Sequence, residues 1–336
     1  MSNHPAGFGD ARGRKASYLR LSVTDRCNLR CFYCVSGKRQ QFIPHERILR
    51  YEEYYRLIAI AARQGVKKAR ITGGEPFARL DLVKFLFGIR SRFDDLRLAI
   101  TTNATLIQPH LADLARLKLA SVNVSLDSFD RATFQRITAS DSLGLVLANI
   151  EALLSLGVRV KLNAVALAGV TDAQLGDFIH FARNYPVDIR FIEYMPMGGN
   201  TLWHESGYIA CAKLRKLASG LAELKPCAEA DVLAGPARMY ELAGGRGRLG
   251  FISALSDHFC AACNRLRVTS EGNLRTCLFA DSEIRLAPLL RHPKVSDASI
   301  GRALAGAIFK KPLGADLLAA KSRAAVASGQ MVGIGG

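Results

Sequence analysis

Short runs of β-branched and apolar residues recur along the first two thirds of the chain. After most of them comes a stretch whose apolar positions return every three or four residues. The runs fall at Tyr18–Thr24, Ala69–Thr72, Leu98–Thr102, Val122–Leu126, Val160–Ala166 and Ile189–Tyr194, and they predict six strands. The text between them predicts helices over Tyr51–Arg63, Leu80–Arg90, Pro109–Leu117, Leu143–Leu156 and Asp172–Asn184. Glycine signals close two of these, at Gln64-Gly65 and Leu156-Gly157. Such alternation implies a parallel sheet with helices outside it. Six units fall short of the eight that close a barrel, so the expected fold is α/β, an incomplete (β/α)6 TIM-type barrel. From the pattern alone, a doubly wound open sheet is the alternative.

The pattern changes after about residue 205. Helical text at Ala210–Leu221 leads to strand-like segments at Met239–Leu242 and Gly250–Ile252. Arg265–Thr269 and Leu274–Leu278 then flank a hairpin turn at Glu271-Gly272. The expected organisation is a flexible basic arm over 1–17, a partial barrel over 18–219, and a smaller unit over 220–336 packed against it.

In parallel α/β folds the carboxyl ends of the strands carry the chemistry. Those ends here read Thr24-Asp25-Arg26-Cys27, Gly73-Gly74-Glu75-Pro76, Thr101-Thr102-Asn103, Ser125-Leu126-Asp127, Asn163 and Glu193-Tyr194-Met195. One polar rim predicts one active site.

No run approaches the roughly 18 uninterrupted apolar residues of a membrane span. The N-terminus has no apolar stretch behind its charges, so it does not read as a secretory signal. The expectation is a soluble, cytoplasmic protein with no membrane partner. A net charge of +17 implies polyanionic company. Its Lys and Arg are scattered and several lie at strand ends, which suits one small charged ligand better than a nucleic-acid groove.

Six of the eight cysteines form two tight groups, Cys27, Cys31 and Cys34, then Cys260, Cys263 and Cys277. Such spacing is what a metal centre needs from thiolates. Three thiolates leave one iron of a [4Fe–4S] cube open, the mark of a reactive centre. For each group a zinc site is the alternative, with His258 available as a fourth ligand to the second. Cys211 and Cys227 stand apart and read as ordinary cysteines. Arg265 and Arg267 alternate on one strand beside the second group, so both guanidiniums share a face and suit bidentate phosphate binding.

Cys-Asn-Leu-Arg-Cys-Phe-Tyr-Cys (27–34), followed at two strands' distance by Gly73-Gly74-Glu75-Pro76, resembles the radical S-adenosylmethionine (SAM) superfamily. Within it, Tyr18–Cys27, Arg70–Pro76, Ser121–Asp127, Arg190–Met195, Cys263–Arg267 and the terminal Gly335-Gly336 are similar to the branch serving molybdenum cofactor biosynthesis. The resemblance runs from about residue 12 to the end and is poorest around 220–245. It implies two [4Fe–4S] clusters, and SAM held by Tyr33, Gly73, Gly74, Glu75, Ser125 and Met195. It implies GTP as substrate, contacted by Arg20, Arg70, Thr101, Lys161, Arg265 and Arg267. The implied reaction takes the ribose C3′ hydrogen with a 5′-deoxyadenosyl radical and joins C3′ to guanine C8. The product would pass to a cyclic pyranopterin synthase. A reducing electron donor is required, and a homodimer is the usual state of the family. The resemblance also implies that the Gly335-Gly336 tail enters the active site, where glycine is slim enough.

Three departures stand out. Val35-Ser36 replaces the family's usual Met-Pro, Ala104 replaces a common glycine, and the stretch after Lys311-Pro312 lacks a histidine. Two readings compete with the GTP enzyme: a peptide-modifying radical SAM enzyme with an auxiliary cluster, and a non-catalytic metalloprotein that binds nucleic acid. The second leaves Gly73–Pro76 and the tail unexplained.

Overall fold

The computed structural model describes residues 7–35, 42–197, 204–228, 231–320, 327 and 331–335. Six strands and their helices follow in the expected order: β1 (Tyr18–Ser22), α1 (Tyr51–Arg63), β2 (Lys68–Thr72), α2 (Leu82–Arg92), β3 (Arg97–Thr102), α3 (Leu111–Arg116) and β4 (Ser121–Ser125). Two helices, α4 (Arg131–Thr138) and α5 (Leu143–Ser155), lead to β5 (Val160–Ala166), α6 (Leu175–Asn184) and β6 (Asp188–Glu193). Then come α7 (Cys211–Leu221), β7 (Leu224–Pro226), β8 (Arg238–Leu242), β9 (Arg248–Ile252), β10 (Arg265–Val268), β11 (Asn273–Arg275) and β12 (Ile284–Arg285). Among the described residues four helices follow: α8 (Ala287–Arg291), α9 (Asp297–Phe309), α10 (Gly314–Ala320) and α11 (Met331–Ile334).

All twelve strands form one sheet, ordered β12-β11-β10-β1-β2-β3-β4-β5-β6-β9-β8-β7. The eight from β10 to β9 are parallel, and antiparallel hairpin strands extend both ends. The partial barrel is therefore six βα units widened on each side by a parallel strand from the later part of the chain. The hairpin between β10 and β11 turns at Gly272, whose φ of +79° belongs to the left-handed region.

Alternation along each strand splits the sheet into two faces. Leu19, Leu21, Ile71, Leu98, Val122, Leu162 and Ile189 point outward and are fully or nearly fully buried under the helices. Each contributes roughly 1.5–3 kcal/mol by leaving water. Many inward positions are polar, and among them the basic residues Lys68, Arg70, Lys161, Arg190 and Arg267 are buried as well. The later region docks firmly on α1: Arg56 donates to Asp297 Oδ1 at 2.8 Å, to Leu290 O at 2.7 Å and to Val295 O at 2.6 Å.

The segment expected to be a flexible arm is packed from Gly7 onward. Phe8 and Ala16 join the core, and the Arg14 guanidinium pairs with the Asp10 carboxylate out of solvent. Helix α4 was not foreseen. Asp130 caps its start by accepting from the Thr133 amide at 2.8 Å, and Ala139 ends it in left-handed conformation at φ +56°. Among the described residues no single helix is long and apolar enough to cross a membrane.

Candidate active site

The loop leaving β1 carries the first cysteine group. Two hydrogen bonds lay it against the end of α4, from Arg30 N to Thr138 O at 2.9 Å and from Phe32 N to Ile137 O at 3.1 Å. A turn closed by Cys34 N and Val35 N on Cys31 O brings the last two cysteines together. Cys27, Cys31 and Cys34 all face one cavity and none is in a disulfide. Burial pushes the Cys31 thiol well above its ordinary value, and Asp127 and the other two cysteines add to this. Burial likewise raises Cys27, although the Leu29 amide donates to its sulfur at 3.4 Å. A metal centre binding here has to displace those protons.

The glycine loop after β2 forms the next wall. A Cβ on Gly73 would stand 2.6 Å from Thr24 O, so only glycine lets the two loops touch. Gly74 N and Glu75 N then bond Thr24 O and Arg26 O, each at 2.8 Å. Glu75 is a correction to the sequence reading. It is fully buried and turned away from the cavity; its carboxylate accepts from Asn103 N at 2.7 Å, Thr102 Oγ1 at 2.8 Å and Phe77 N at 3.0 Å. Burial raises its pKa to about 7, against those hydrogen bonds. It ties the β2 and β3 loops together, and Asn103 in turn reaches Cys27 Sγ at 3.7 Å.

Gly73, Gly74, Thr101, Ser125, Tyr33 and Met195 do line this cavity. Tyr33 donates to Asp127 Oδ2 at 2.5 Å, and Asp127 Oδ1 accepts from Val165 N at 2.8 Å. Burial raises Asp127 to about 6 and pushes Tyr33 well up. Among the departures, Ala104 sits at φ +61° where glycine carries no strain, and Asn149 steadies its carbonyl at 2.8 Å. Val35 lines the cavity; Ser36 lies outside the described residues.

A second cavity adjoins the first and shares Asn163, Ile192, Met195 and Met331 with it. Strand register places Arg20 beside Arg70 on one side and Arg267 on the other. Arg190 and Arg265 complete the basic wall, with Tyr18 among them. Arg70 is held by Ile100 O at 2.9 Å, Thr101 Oγ1 at 3.2 Å, Ser121 Oγ at 3.4 Å and the Tyr18 hydroxyl. Arg190 is buried, and its Nε and Nη2 have no partner among the described residues. Burial and then Arg70 lower its pKa to about 9; burial likewise lowers Arg20 to about 10. Burial, then Arg20 and Arg265, depress Arg267 further.

Lys161 does not line the cavity. It sits toward the amino end of β5 and pairs with Asp188 at 3.4 Å, its pKa lowered to about 7 by burial and Arg190. Arg190 lines the cavity and was passed over in the sequence reading; the neighbouring Lys68, which donates to Leu233 O at 2.6 Å, does not line it. The signal was present: Arg190 stands at an inward position between the outward apolar residues Ile189 and Phe191.

Cys260, Cys263 and Cys277 occupy the far end of this cavity. A Cβ on Gly314 would come 3.2 Å from Cys260 Sγ and 3.3 Å from Cys277 Sγ, so the glycine leaves room for what those sulfurs bind. Burial raises the Cys263 thiol, but Arg265 and Lys311 outweigh it and bring it to about 6. His258 bonds Ala254 O through Nδ1 at 2.9 Å. Among the described residues, no three His, Cys, Asp or Glu side chains converge as they do around a single metal ion. The sulfurs of a tetrahedral zinc site lie roughly 3.8 Å apart, a consequence of Zn–S bonds of about 2.3 Å. Two soft, all-thiolate triplets facing cavities fit iron–sulfur clusters, whose irons spread the ligands wider.

Residues 331–335 reach the same space. Arg267 Nη1 donates to Gly335 O at 2.7 Å, and Ile334 is buried with Met197, Phe279 and Ala327. Gly336 lies outside the described residues.

A parallel sheet with a CxxxCxxC loop on its first strand and a glycine loop on its second defines a radical SAM protein. The Radical SAM superfamily model matches residues 21–182, and the Molybdenum Cofactor Synthesis C model matches residues 187–317. The fold is similar to that of Streptococcus suis SuiB bound to precursor peptide SuiA, with a TM-score of 0.63 at 17% identity over 94% of this chain and 76% of that one. The chain is 40% identical to the GTP 3′,8-cyclase of Heliobacterium modesticaldum, over 90% of its length and 93% of the relative's. It is 36% identical to the GTP 3′,8-cyclase of Clostridium botulinum, with the same coverages. Molybdenum cofactor biosynthesis protein 1 of Drosophila melanogaster is 37% identical, and the chain spans 53% of that longer protein. The chain belongs to the GTP 3′,8-cyclase family.

Proposed function

We propose that this chain converts GTP to (8S)-3′,8-cyclo-7,8-dihydroguanosine 5′-triphosphate, with SAM in the first cavity and GTP in the second. The observation carrying this reading is that the two cavities adjoin, each ends at a cysteine triplet, and guanidiniums line the space between. A [4Fe–4S] cluster on Cys27, Cys31 and Cys34 would supply, with SAM and an electron, the 5′-deoxyadenosyl radical that takes the C3′ hydrogen. The protein positions the reactants and excludes water.

Arg20, Arg70, Arg190, Arg265 and Arg267 would hold the triphosphate, since planar guanidiniums bind phosphate bidentately. Arg70 is already fixed by four bonds within the barrel, so little side-chain entropy is lost when it grips substrate. Thr101 orients Arg70, while Lys161 adds positive charge from its place beside Asp188. Gly73 and Gly74 let SAM approach the backbone, with Ser125, Tyr33 and Met195 around it. Cys260, Cys263 and Cys277 would hold a second cluster at the guanine end. Gly335 narrows the space beside Arg267. A low-potential electron donor and an enzyme that consumes the cyclised nucleotide complete the scheme.

The test is anaerobic. Protein reconstituted with iron and sulfide is given dithionite and SAM, and 5′-deoxyadenosine is measured with and without GTP. Deoxyadenosine that rises with GTP, together with a cyclised nucleotide, is the expected result. Formation indifferent to GTP would refute the substrate, and none at all with both sites loaded would refute the radical chemistry.

A further inference from the structure

Lys311 is 3% exposed. Its Nζ donates to Arg265 O at 2.5 Å and reaches Cys263 Sγ at 3.6 Å. The charged groups facing it are Cys263, Arg14 and Arg265. Among the described residues it has no carboxylate partner. Arg14 cannot supply the missing negative charge, and the Asp10 carboxylate is already paired with Arg14. A buried ammonium is strongly unfavourable unless an anion offsets it, and the sulfur facing it, Cys263 Sγ, is a thiolate once it ligates a cluster.

The surroundings hold this lysine in place. Arg14 donates to Cys260 O at 2.9 Å, to Lys311 O at 2.7 Å and to Pro312 O at 3.2 Å, so one guanidinium joins the cysteine loop to the turn bearing Lys311. The first cysteine site has opposite surroundings, with Glu75 acting on Cys27 and Asp127 on Cys31.

We infer that Lys311 is the counter-charge of the second cysteine site, a positioning residue that donates an N–H···S bond to the Cys263 thiolate and raises the reduction potential of a cluster held there. The inference rests on reading Cys260, Cys263 and Cys277 as a cluster site. Positive charge and hydrogen bonds at the sulfurs favour the more negative, reduced form. A cluster held there is thereby easier to reduce than it would be without Lys311.

The experiment uses the full chain with Cys27, Cys31 and Cys34 changed to alanine, so that only the second site loads. Iron and sulfide are counted, and the cluster is titrated by electron paramagnetic resonance. Lys311→Met is expected to shift the reduction equilibrium about tenfold or more toward the oxidised form, which is about 59 mV for a one-electron couple. Lys311→Arg keeps it within about threefold. In the complementary protein lacking Cys260, Cys263 and Cys277, Lys311→Met leaves the first-site potential in place. A readout independent of substitution is ¹⁵N-lysine labelling, which should give a ¹⁵N hyperfine coupling to the reduced second cluster. An unmoved potential in Lys311→Met, equal shifts in the Met and Arg variants, a matching shift at the first site, or no ¹⁵N coupling overturns the role of Lys311. Absence of iron and sulfide from the second-site protein overturns the two-cluster reading itself.

Discussion

Replacing Gly335 by alanine should expel the chain's end from the barrel. Gly335 sits at φ +81°, which costs an L-residue about 1–2 kcal/mol. The new Cβ would lie 2.7 Å from Thr72 Cγ2 and 3.2 Å from Ser22 Cβ. Both neighbours stand on central strands, so relieving the overlap costs about 1–3 kcal/mol more. The sum, about 2–5 kcal/mol, lowers the docking equilibrium constant by roughly 30-fold to several thousandfold at 1.4 kcal/mol per decade. Hydrogen exchange on peptides covering 331–335 reads docking directly, and cyclised-nucleotide formation reads its consequence. Gly333 is the control. It lies in α11, and nothing stands within 4 Å of the place an added methyl would take. Gly333→Ala should therefore leave protection unchanged or tighten it by about 0.5–1 kcal/mol. Equal protection in Gly335→Ala and the native chain would refute the packing argument.

Arg190→Met removes a buried guanidinium with free donors, so GTP binding should weaken about 10- to 150-fold while guanosine binding is unchanged; charged hydrogen bonds worth about 1.5–3 kcal/mol set the range. Calorimetry with both ligands checks it, and equal losses for the two would count against the phosphate role. Burial favours the neutral phenol of Tyr18, but Arg70, Arg20 and Lys68 outweigh it and bring its pKa to about 7. As pH rises through that value a phenolate forms inside the cage and opposes the triphosphate. GTP affinity should therefore fall more steeply from about pH 6 to about pH 9 in the native chain than in Tyr18→Phe; parallel slopes would sink the idea. Glu75→Ala leaves one buried amide, one part-buried amide and a buried hydroxyl without an acceptor, at about 1–3 kcal/mol each. Urea unfolding should show a loss of at least about 3 kcal/mol, and one below about 1 kcal/mol would contradict the tying role.

The six βα units were legible because alternation leaves a mark: in Tyr18-Leu-Arg-Leu-Ser22 the leucines face the helices and the others face the barrel. The parallel pairing of β9 and β10 with β6 and β1 was not legible, since it joins stretches far apart in the chain. Arg190 escaped for a physical reason. An isolated basic residue in a strand usually reaches solvent, and only burial of both sheet faces aims it into a cavity. Glu75 shows the reverse case. Its motif was plain, but a loop has no periodicity to say which way a side chain points. The packing of residues 7–17 was hidden because Arg14 and Asp10 read as surface charges until the backbone carbonyls that Arg14 donates to and the amides that Asp10 accepts from are in place.

Arg267, Arg20 and Arg70 stand in register on three adjacent strands, about 4.8 Å apart along the sheet. Like charges confined that closely repel, and the surrounding fold must restrain them. A polyanion entering the barrel thus relieves a load already present, and its affinity exceeds what its new hydrogen bonds alone would supply. The empty protein is correspondingly the less stable one. Simple anions such as sulfate should protect it from unfolding, and a triphosphate held by these arginines would serve as a structural strut for as long as it is bound.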